Sequence, residues 1–196
     1  MKRIISILFI MLFGFANSLI AQDSPSIKRI SVGEKNSKIT IIAYESLTCG
    51  HCADFHKDVY PELKKDFIDK GLVRIEFRHF PLDLAAFNAS KIAQCNNDGS
   101  SSIMNVLYSG QKKWARGKTP EEATGYLKKF LEGENVNLDF EKCLSDKAIE
   151  DYVLNDRIDG VKKFEVNATP TIIINDKKFD KALNYKNLKK YLEKLI

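Results

Sequence analysis

Two cysteines separated by two residues form the most reactive motif of this sequence, Cys49-Gly50-His51-Cys52. The motif follows an apolar run that ends at Tyr44 and begins a segment with helical spacing. The first thiol therefore lies at a helix N-terminus, where backbone N–H groups and the positive end of the helix dipole favour its thiolate. Because the thiolate is the species that attacks a disulfide, the motif predicts thiol–disulfide exchange at Cys49.

The same segment also allows a metal-binding interpretation, because Cys49, His51, Cys52 and His56 all carry metal-ligating atoms. Structural zinc sites usually need a second pair of ligands at comparable spacing, and none follows downstream. Haem attachment is excluded, since that motif needs His directly after the second Cys and this chain has Ala53. The sequence favours a redox pair that needs no cofactor and no metal, with a copper- or zinc-binding module as the alternative.

The first 21 residues have the pattern of a secretory signal peptide. Lys2 and Arg3 precede an apolar run from Ile4 to Phe13, and small residues follow as far as Ala21. Cleavage after residue 16, 18 or 21 would remove this segment, and an uncleaved membrane anchor is the alternative. The apolar run is shorter than the roughly 20 residues of a membrane helix. We therefore expect export to the periplasm.

Composition and charge suit one globular domain over residues 22–196. The chain has 196 residues, of which 44% are hydrophobic and 29% charged. The net charge of +5 falls to +3 without Lys2 and Arg3, which is too close to zero to indicate nucleic-acid binding. Four cysteines in an exported chain imply two disulfides, one in the motif and one between Cys95 and Cys143.

The elements around the motif follow from the spacing of apolar residues. Residues 27–32 alternate in polarity and predict a short strand, while the β-branched run 39–44 predicts a central strand covered on both faces. Residues 50–70 carry an apolar position every four residues and predict a helix, which Pro61 should kink. A further strand is predicted at 72–77, giving a right-handed strand, helix, strand unit.

The second half of the chain is mostly helical. Residues 83–165 predict four or five helices, a compact insertion between two strands of one sheet. A strand is then predicted at 171–174 and a hairpin turn at 175–178, with Phe179 beginning the partner strand. The terminal helix is predicted over 185–196. The fold class that follows is α/β with an inserted α-helical subdomain.

Three segments together resemble the thioredoxin superfamily. With the helical insertion about residues 83–165, the chain is similar to the DsbA-like branch of exported bacterial thiol–disulfide oxidoreductases over essentially its whole mature length. The resemblance implies a thioredoxin fold in which Pro170 is cis and lies against the active-site disulfide, with Thr169 presenting its backbone to an extended substrate. The segments are Leu47-Thr48-Cys49-Gly50-His51-Cys52 continuing to Phe55-His56, Phe80-Pro81-Leu82-Asp83, and Val166-Asn167-Ala168-Thr169-Pro170-Thr171.

The resemblance also implies a role for each residue of the site. Cys49 forms the mixed disulfide with a substrate, and Cys52 is the shielded, resolving thiol. His51, with Gly50 beside it, tunes the redox potential by stabilising the Cys49 thiolate. Gly50 and Thr169 together are seen in isomerase-like members of the family.

The partners follow from the same resemblance. About 15 residues separate the cleavage site from the first strand pair, too few for the dimerisation domain of dedicated isomerases. We therefore expect a monomeric oxidase with some isomerase activity, which acts on reduced or unfolded exported proteins. A membrane quinone reductase of the DsbB type would reoxidise it. A chaperone without electron transfer is a further alternative.

The sequence departs from the family at one position. Related proteins carry a buried acid six residues before the first cysteine, as proton acceptor for the second thiol, and here that residue is Ala43. Glu45 either takes over this role or is a solvated charge at the strand end. We expect His56 to pack at the helix surface, and we assign no role to His79.

The second pair of cysteines falls where one alphaproteobacterial subgroup of the family carries another disulfide. In that interpretation Cys95 and Cys143 join two helices of the insertion and take no part in the chemistry. The alternative is a second redox pair. Neither cysteine has the helix-start, CxxC context that lowers the pKa of a thiol.

Overall fold

The computed structural model of the chain describes residues 26–196, so the predicted signal peptide at 1–21 lies outside the described residues. Within this part the chain forms a five-stranded sheet with helices on both faces, which confirms the predicted α/β class. No helix between residues 26 and 196 is both long enough and apolar enough to cross a bilayer.

The sheet has two parallel central strands, β2 and β3, flanked by antiparallel strands in the order β1-β3-β2-β4-β5. Ile41 of β2 lies opposite Ile75 of β3, and both side chains are fully buried. Side chains alternate between the two faces along a strand, so Ala43 and Glu45 share one face of β2. The strands are β1 (Ser31–Val32), β2 (Ile39–Glu45), β3 (Val73–His79), β4 (Thr171–Ile174) and β5 (Lys177–Lys178).

Two of the strand predictions were wrong in extent. The strand expected at 27–32 is only two residues long, because the backbone N–H of Lys28 binds the side chain of Asn97 and not another strand. The hairpin turn expected at 175–178 consists of Asn175 and Asp176 alone. Both residues have positive φ, which allows a tight two-residue hairpin, so β5 begins before Phe179.

The helix after the motif changes its winding on either side of Pro61. It begins as α1 (Gly50–Asp54), widens to a π-helix over Phe55–Val59, returns to α-helix as α2 (Tyr60–Leu63) and widens again over Lys64–Ile68. A proline has no N–H to donate and its ring crowds the preceding turn, and a wider turn relieves both conflicts. The helix type thus changes on both sides of Pro61, and the kink itself stays a prediction.

The insertion contains six helices between residues 84 and 164, one more than the upper expectation. Side chains of Asp83, Thr119, Asp139 and Asp146 cap four of them by accepting a backbone N–H of the first turn. Gly110 separates two of the helices, and a Cβ there would clash with the ring of Phe130. The six are α3 (Leu84–Gln94), α4 (Ser102–Ser109), α5 (Gln111–Trp114), α6 (Pro120–Gly133), α7 (Phe140–Ser145) and α8 (Lys147–Phe164).

The core lies on both faces of the sheet. One face packs against the helix after the motif, the insertion helices α3 to α7 and the terminal helix α9 (Tyr185–Leu192), which is shorter than the predicted 185–196. The other face packs against α8, where Gly160 lies so close to the ring of Tyr44 that no Cβ would fit. These contacts fix the end of β2, and with it the loop that carries the cysteine motif.

Candidate active site

Cys49 lies at the position just before α1, as the motif predicts, with an extended backbone. Its backbone N–H donates to the carbonyl of Ser46 at 3.0 Å, which closes the loop between β2 and the helix. Its Sγ atom lies 3.3 Å from the carbonyl oxygen of Thr169, to which the thiol donates when it is protonated. Cys49 is partly exposed, whereas Cys52, one turn further along, is fully buried, and the two are not bonded to each other in this structure.

The two thiols have opposite acidity. A hydrogen bond from the Cys52 thiol, helped by the Thr169 side chain and by the backbone N–H groups of Cys52 and His51, lowers the pKa of Cys49 to about 5 against the effect of partial burial. Burial raises the pKa of Cys52 far above the range of an ordinary thiol, and the bond to Cys49 and the charge of Glu45 raise it further. One sulfur is therefore a thiolate at neutral pH and the other a thiol.

The acidity of Cys49 predicts how the reduced protein reacts with iodoacetamide. Its alkylation rate should rise with pH to half its maximum at about pH 5 and stay constant through neutral pH. An ordinary thiol has its midpoint near pH 8.5. Because the pKa is lower in the folded state, the thiolate stabilises the reduced protein, and this stabilisation is lost as the pH falls through about 5.

Mass spectrometry of peptides after timed quenching measures the rate for each cysteine. Cys52 is the internal control, since a buried thiol should remain unmodified over the same range. A midpoint for Cys49 near that of an ordinary thiol would contradict the prediction.

His51 contributes to the site through its backbone. Its imidazole is 88% exposed, with Nδ1 3.8 Å from the carboxylate of Asp54, while its backbone N–H helps to lower the pKa of Cys49. A Cβ on Gly50 would meet no atom within 4 Å, so the motif faces open space there. The tuning role of Gly50 and of the His51 side chain stays a prediction.

A cleft beside the motif has room for a polypeptide. Thr169 and Pro170, joined by a cis peptide bond, form one wall, and the helix after the motif forms the other. The cleft encloses about 520 Å³. An extended chain lying there would reach the backbone of Thr169, as β-strand addition requires. The lining residues are His51, Asp54, Phe55, Asp58, Val59, Thr169, Pro170, Leu183, Asn184 and Tyr185.

Three hydrogen bonds hold the motif loop, and none of them was predicted from the sequence. The side-chain amide of Gln111 donates to the carbonyls of Leu47 and Cys49, each at 2.9 Å, from the buried start of α5. The hydroxyl of Thr48 donates to the carboxylate of Asp83 at 2.7 Å. The insertion thereby positions the redox pair. Gln111 had no signal in the sequence, because it lies more than 60 residues from the motif.

Glu45 is buried beneath the redox pair, so its interpretation as a solvated charge was wrong. Its side chain is 3% exposed, and its Oε2 atom lies 2.8 Å from Nε2 of His56 and 3.2 Å from the hydroxyl of Tyr108. His56 is not at the helix surface either, since its side chain is 6% exposed. The solvated alternative for Glu45 and the surface position expected for His56 are both wrong because the insertion covers this side of the helix, and Tyr108 comes from that insertion.

The second pair of cysteines forms a disulfide in the insertion. Cys95, just after α3, is bonded to Cys143 of α7, with their Cα atoms 5.4 Å apart. The bond joins two helices of the insertion, whereas the motif lies at α1. Its structural role remains a prediction, tested below.

His79 belongs to a buried polar cluster on β3. Its backbone N–H donates to Asp156 at 3.0 Å, and its ring contacts Gln94. Burial lowers the pKa of His79. Asp156 also forms an ion pair with Arg29 and lies 3.7 Å from Arg78, so two guanidinium groups balance its negative charge. The cluster fastens α8 to the sheet.

The chemistry available at the site is redox exchange between two sulfurs. In the part of the chain that the structure describes, no three His, Cys, Asp or Glu side chains converge as metal ligands. A reactive thiolate, a buried thiol and a cis-proline on a sheet with a helical insertion define a dithiol centre of the thioredoxin class.

Comparison with known proteins gives the same class. The thioredoxin family model matches residues 26–194, and the chain belongs to the thioredoxin superfamily, in its DsbA-like branch. The crystal structure of alpha-DsbA1 from Wolbachia pipientis superposes with a TM-score of 0.76 at 28% identity, covering 87% of this chain and 92% of that one. These findings confirm the resemblance inferred from the motifs.

The curated relatives of the chain are named as disulfide oxidoreductases or disulfide bond formation proteins, and several are longer than this chain. A putative protein-disulfide oxidoreductase of Rickettsia bellii is 29% identical over 146 residues, which are 74% of this chain and 56% of the relative. Disulfide bond formation protein D of Bacillus subtilis is 29% identical over 181 residues, covering 87% of this chain and 78% of that protein. The chain spans between 53% and 60% of the length of the Rickettsia relatives.

Proposed function

We propose that the chain is a periplasmic thiol–disulfide oxidoreductase that introduces disulfides into reduced, partly unfolded exported proteins. One observation carries the proposal: an accessible Cys49 with a pKa of about 5 lies beside a buried Cys52 whose pKa is raised. A stabilised thiolate favours the reduced enzyme, which makes the disulfide oxidising. The names of the relatives support the same reaction, and the signal-peptide pattern of residues 1–21 supports the location.

The reaction starts from the disulfide between Cys49 and Cys52. A substrate thiolate attacks Sγ of Cys49, so that a mixed disulfide forms and Cys52 leaves as a thiolate that takes up a proton. A second substrate thiolate then attacks the substrate sulfur of the mixed disulfide, and Cys49 leaves as the stabilised thiolate. The substrate has lost two electrons and gained a disulfide, and the enzyme holds both electrons as a dithiol.

Reoxidation reverses these steps with a different partner. Cys49 attacks a disulfide of the oxidant, and Cys52 then loses its proton and resolves the mixed disulfide by attacking Cys49. A membrane quinone reductase of the DsbB type is the proposed oxidant. The enzyme acts as a monomer.

We infer that Glu45 replaces the buried acid of the family, at a position two residues further along the strand. Glu45 lies on the same face of β2 as Ala43, and its charge raises the pKa of Cys52. Its Oε1 atom is buried and has no hydrogen-bond partner among residues 26–196. We infer that this atom exchanges the proton with Cys52.

Disulfide isomerisation is a second candidate function. It is favoured by Gly50 in the motif and by Thr169 before the cis-proline, the combination seen in isomerase-like members. Thr169 helps to lower the pKa of Cys49, so the enzyme can attack a wrong disulfide when the pair is reduced.

Mixing the oxidised protein with a reduced, unfolded protein that has two cysteines tests the proposal. We expect one substrate disulfide per enzyme disulfide consumed, counted by mass after alkylation of the remaining thiols. A metal-binding module would instead carry alkylatable Cys49 and Cys52 as isolated. A chaperone would bind the substrate without changing its mass, and either result would overturn the proposal.

A further inference from the structure

A buried chain of polar side chains leads away from the redox pair. Glu45 of β2, His56 of the π-helical segment and Tyr108 of α4 meet at the Oε2 atom of the carboxylate, at 2.8 and 3.2 Å. The rings of His56 and Tyr108 stack with centroids 4.1 Å apart. Cys52 is buried near enough to this cluster for the charge of Glu45 to raise its pKa.

The other side of the cluster opens on a cavity of about 690 Å³ between the helix after the motif and the insertion. Both His56 and Tyr108 line it. Asp54 is the one residue that this cavity shares with the cleft at the motif, so the two openings lie on different sides of the helix. The remaining lining residues are Ala53, Lys57, Tyr60, Asn105, Ser109, Gly110, Gln111, Lys112 and Lys113.

Cys52 must exchange a proton in each half of the catalytic cycle, and its surroundings close the direct route. The thiol is fully buried, and a substrate in the cleft covers Cys49 in front of it. Glu45 is the acid beside it, but its carboxylate is itself buried. A proton that stays on Glu45 cannot be returned to solvent without a further group.

Of the side chains that bind Glu45 within residues 26–196, His56 suits that task and Tyr108 does not. Burial raises the pKa of Tyr108 well above that of an ordinary phenol and that of Tyr60 to about 12, so both phenols keep their protons at neutral pH. An imidazole exchanges protons readily near neutral pH and can accept at one nitrogen while it donates at the other. The charged groups on the wall of the cavity form no hydrogen bond or ion pair with Glu45 within residues 26–196; they are Asp54, Lys57, Lys112 and Lys113.

We propose that His56 passes protons between Glu45 and water in the cavity of about 690 Å³. Cys52 can then gain or lose its proton while a substrate occupies the cleft. This inference rests on the proposed function. When Cys52 leaves as a thiolate, it takes up a proton that Nε2 of His56 gives to the Glu45 carboxylate, and Glu45 is a carboxylate again at the end of the step. The imidazole takes its replacement from cavity water. Reoxidation runs these transfers in reverse, and no electrons move through His56.

The reaction of the reduced protein with 5,5′-dithiobis(2-nitrobenzoate) separates the two thiols in time. Attack by Cys49 releases one thionitrobenzoate, and attack of Cys52 on the resulting mixed disulfide releases a second. His56→Gln keeps an N–H donor for Glu45 but cannot carry a proton. We expect its second phase to slow about 100-fold at neutral pH, at the lower end of what acid–base groups contribute, with the first phase unchanged.

His56→Ala gives a readout that a packing role would not produce. The truncation leaves space beside the cavity, so added imidazole should restore the second phase in a concentration-dependent way, whereas acetamide should not. His79→Gln is the matched control, because His79 is also buried but belongs to the cluster around Asp156. Its second phase should equal that of the wild type.

The outcomes distinguish a failure of the His56 relay from a failure of the proposed oxidoreductase function. A wild-type second phase in both His56 variants, or a slow phase in His56→Ala that imidazole does not restore, overturns the relay. A wild-type protein that releases no thionitrobenzoate in either phase would instead overturn the proposed oxidoreductase function. Circular dichroism of each variant shows whether the fold is retained.

Discussion

Replacing Cys49 by serine should lower the rate at which a dithiol substrate is oxidised to that of a protein-free control. The attacked sulfur is gone, and a serine hydroxyl forms no disulfide. Cys52 cannot take over, since it is fully buried and its raised pKa keeps it a thiol. The rate is measured by following the free thiols of a reduced, unfolded protein.

Replacing Cys52 by serine should instead trap covalent adducts, which a non-reducing gel detects. The Cys49 thiolate still attacks disulfides, because its backbone donors and Thr169 remain, but no second thiol resolves the product. Mixed disulfides with substrate proteins should therefore accumulate and disappear on addition of reductant. The Cys49→Ser/Cys52→Ser double variant is the control and should form none. Absence of reducible adducts with Cys52→Ser alone would show that the two roles have been assigned wrongly.

The local part of the site was predictable because the chemistry follows from short spacing. Two residues between the cysteines and a preceding β-branched run place Cys49 at the start of a helix, and the helix fixes the exposure of both sulfurs. The strand at 171–174 was predictable for the same reason, since four β-branched residues in succession favour a strand.

The buried half of the site was not predictable, because it is made by long-range contacts. Glu45 and Tyr108 are 63 residues apart, and Gln111 reaches the carbonyl of Cys49 across 62 residues. Nothing in the spacing of α4 or α5 indicates which side chains face the motif. The sequence predicts a surface position for His56, because the residues that bury it belong to the insertion. The sequence does not reveal how the insertion packs against the helix.

Some errors in the fold have a local physical cause. Asn175 and Asp176 both adopt positive φ, which those side chains tolerate well, so two residues suffice for a turn that seemed to need four. At Pro61 the sequence indicates a lost hydrogen bond but not the π-helical turns on either side of it. Sequence periodicity does not reveal such wider turns.

The double change Cys95→Ala/Cys143→Ala should lower the free energy of unfolding by about 4 kcal/mol. The bond closes a loop with a sequence separation of 48, and on the chain-entropy model its loss gives the unfolded chain that much conformational freedom. Small domains are stable by about 5–15 kcal/mol in total, so the loss is large. Urea titrations of wild type and variant, with the motif in the same redox state, measure it.

The same variant should keep its chemistry. Cys95 and Cys143 join α3 to α7, whereas the donors that set the acidity of Cys49 come from α1 and Thr169. The reduction potential of the motif and the initial oxidation rate should therefore equal those of the wild type. When reductant is added stepwise to the wild type, the motif disulfide should be reduced before the Cys95–Cys143 disulfide. An accessible catalytic disulfide has a higher reduction potential than a structural one. Lost turnover at unchanged stability would mean that electrons pass through the second pair, and its structural role would have to be given up.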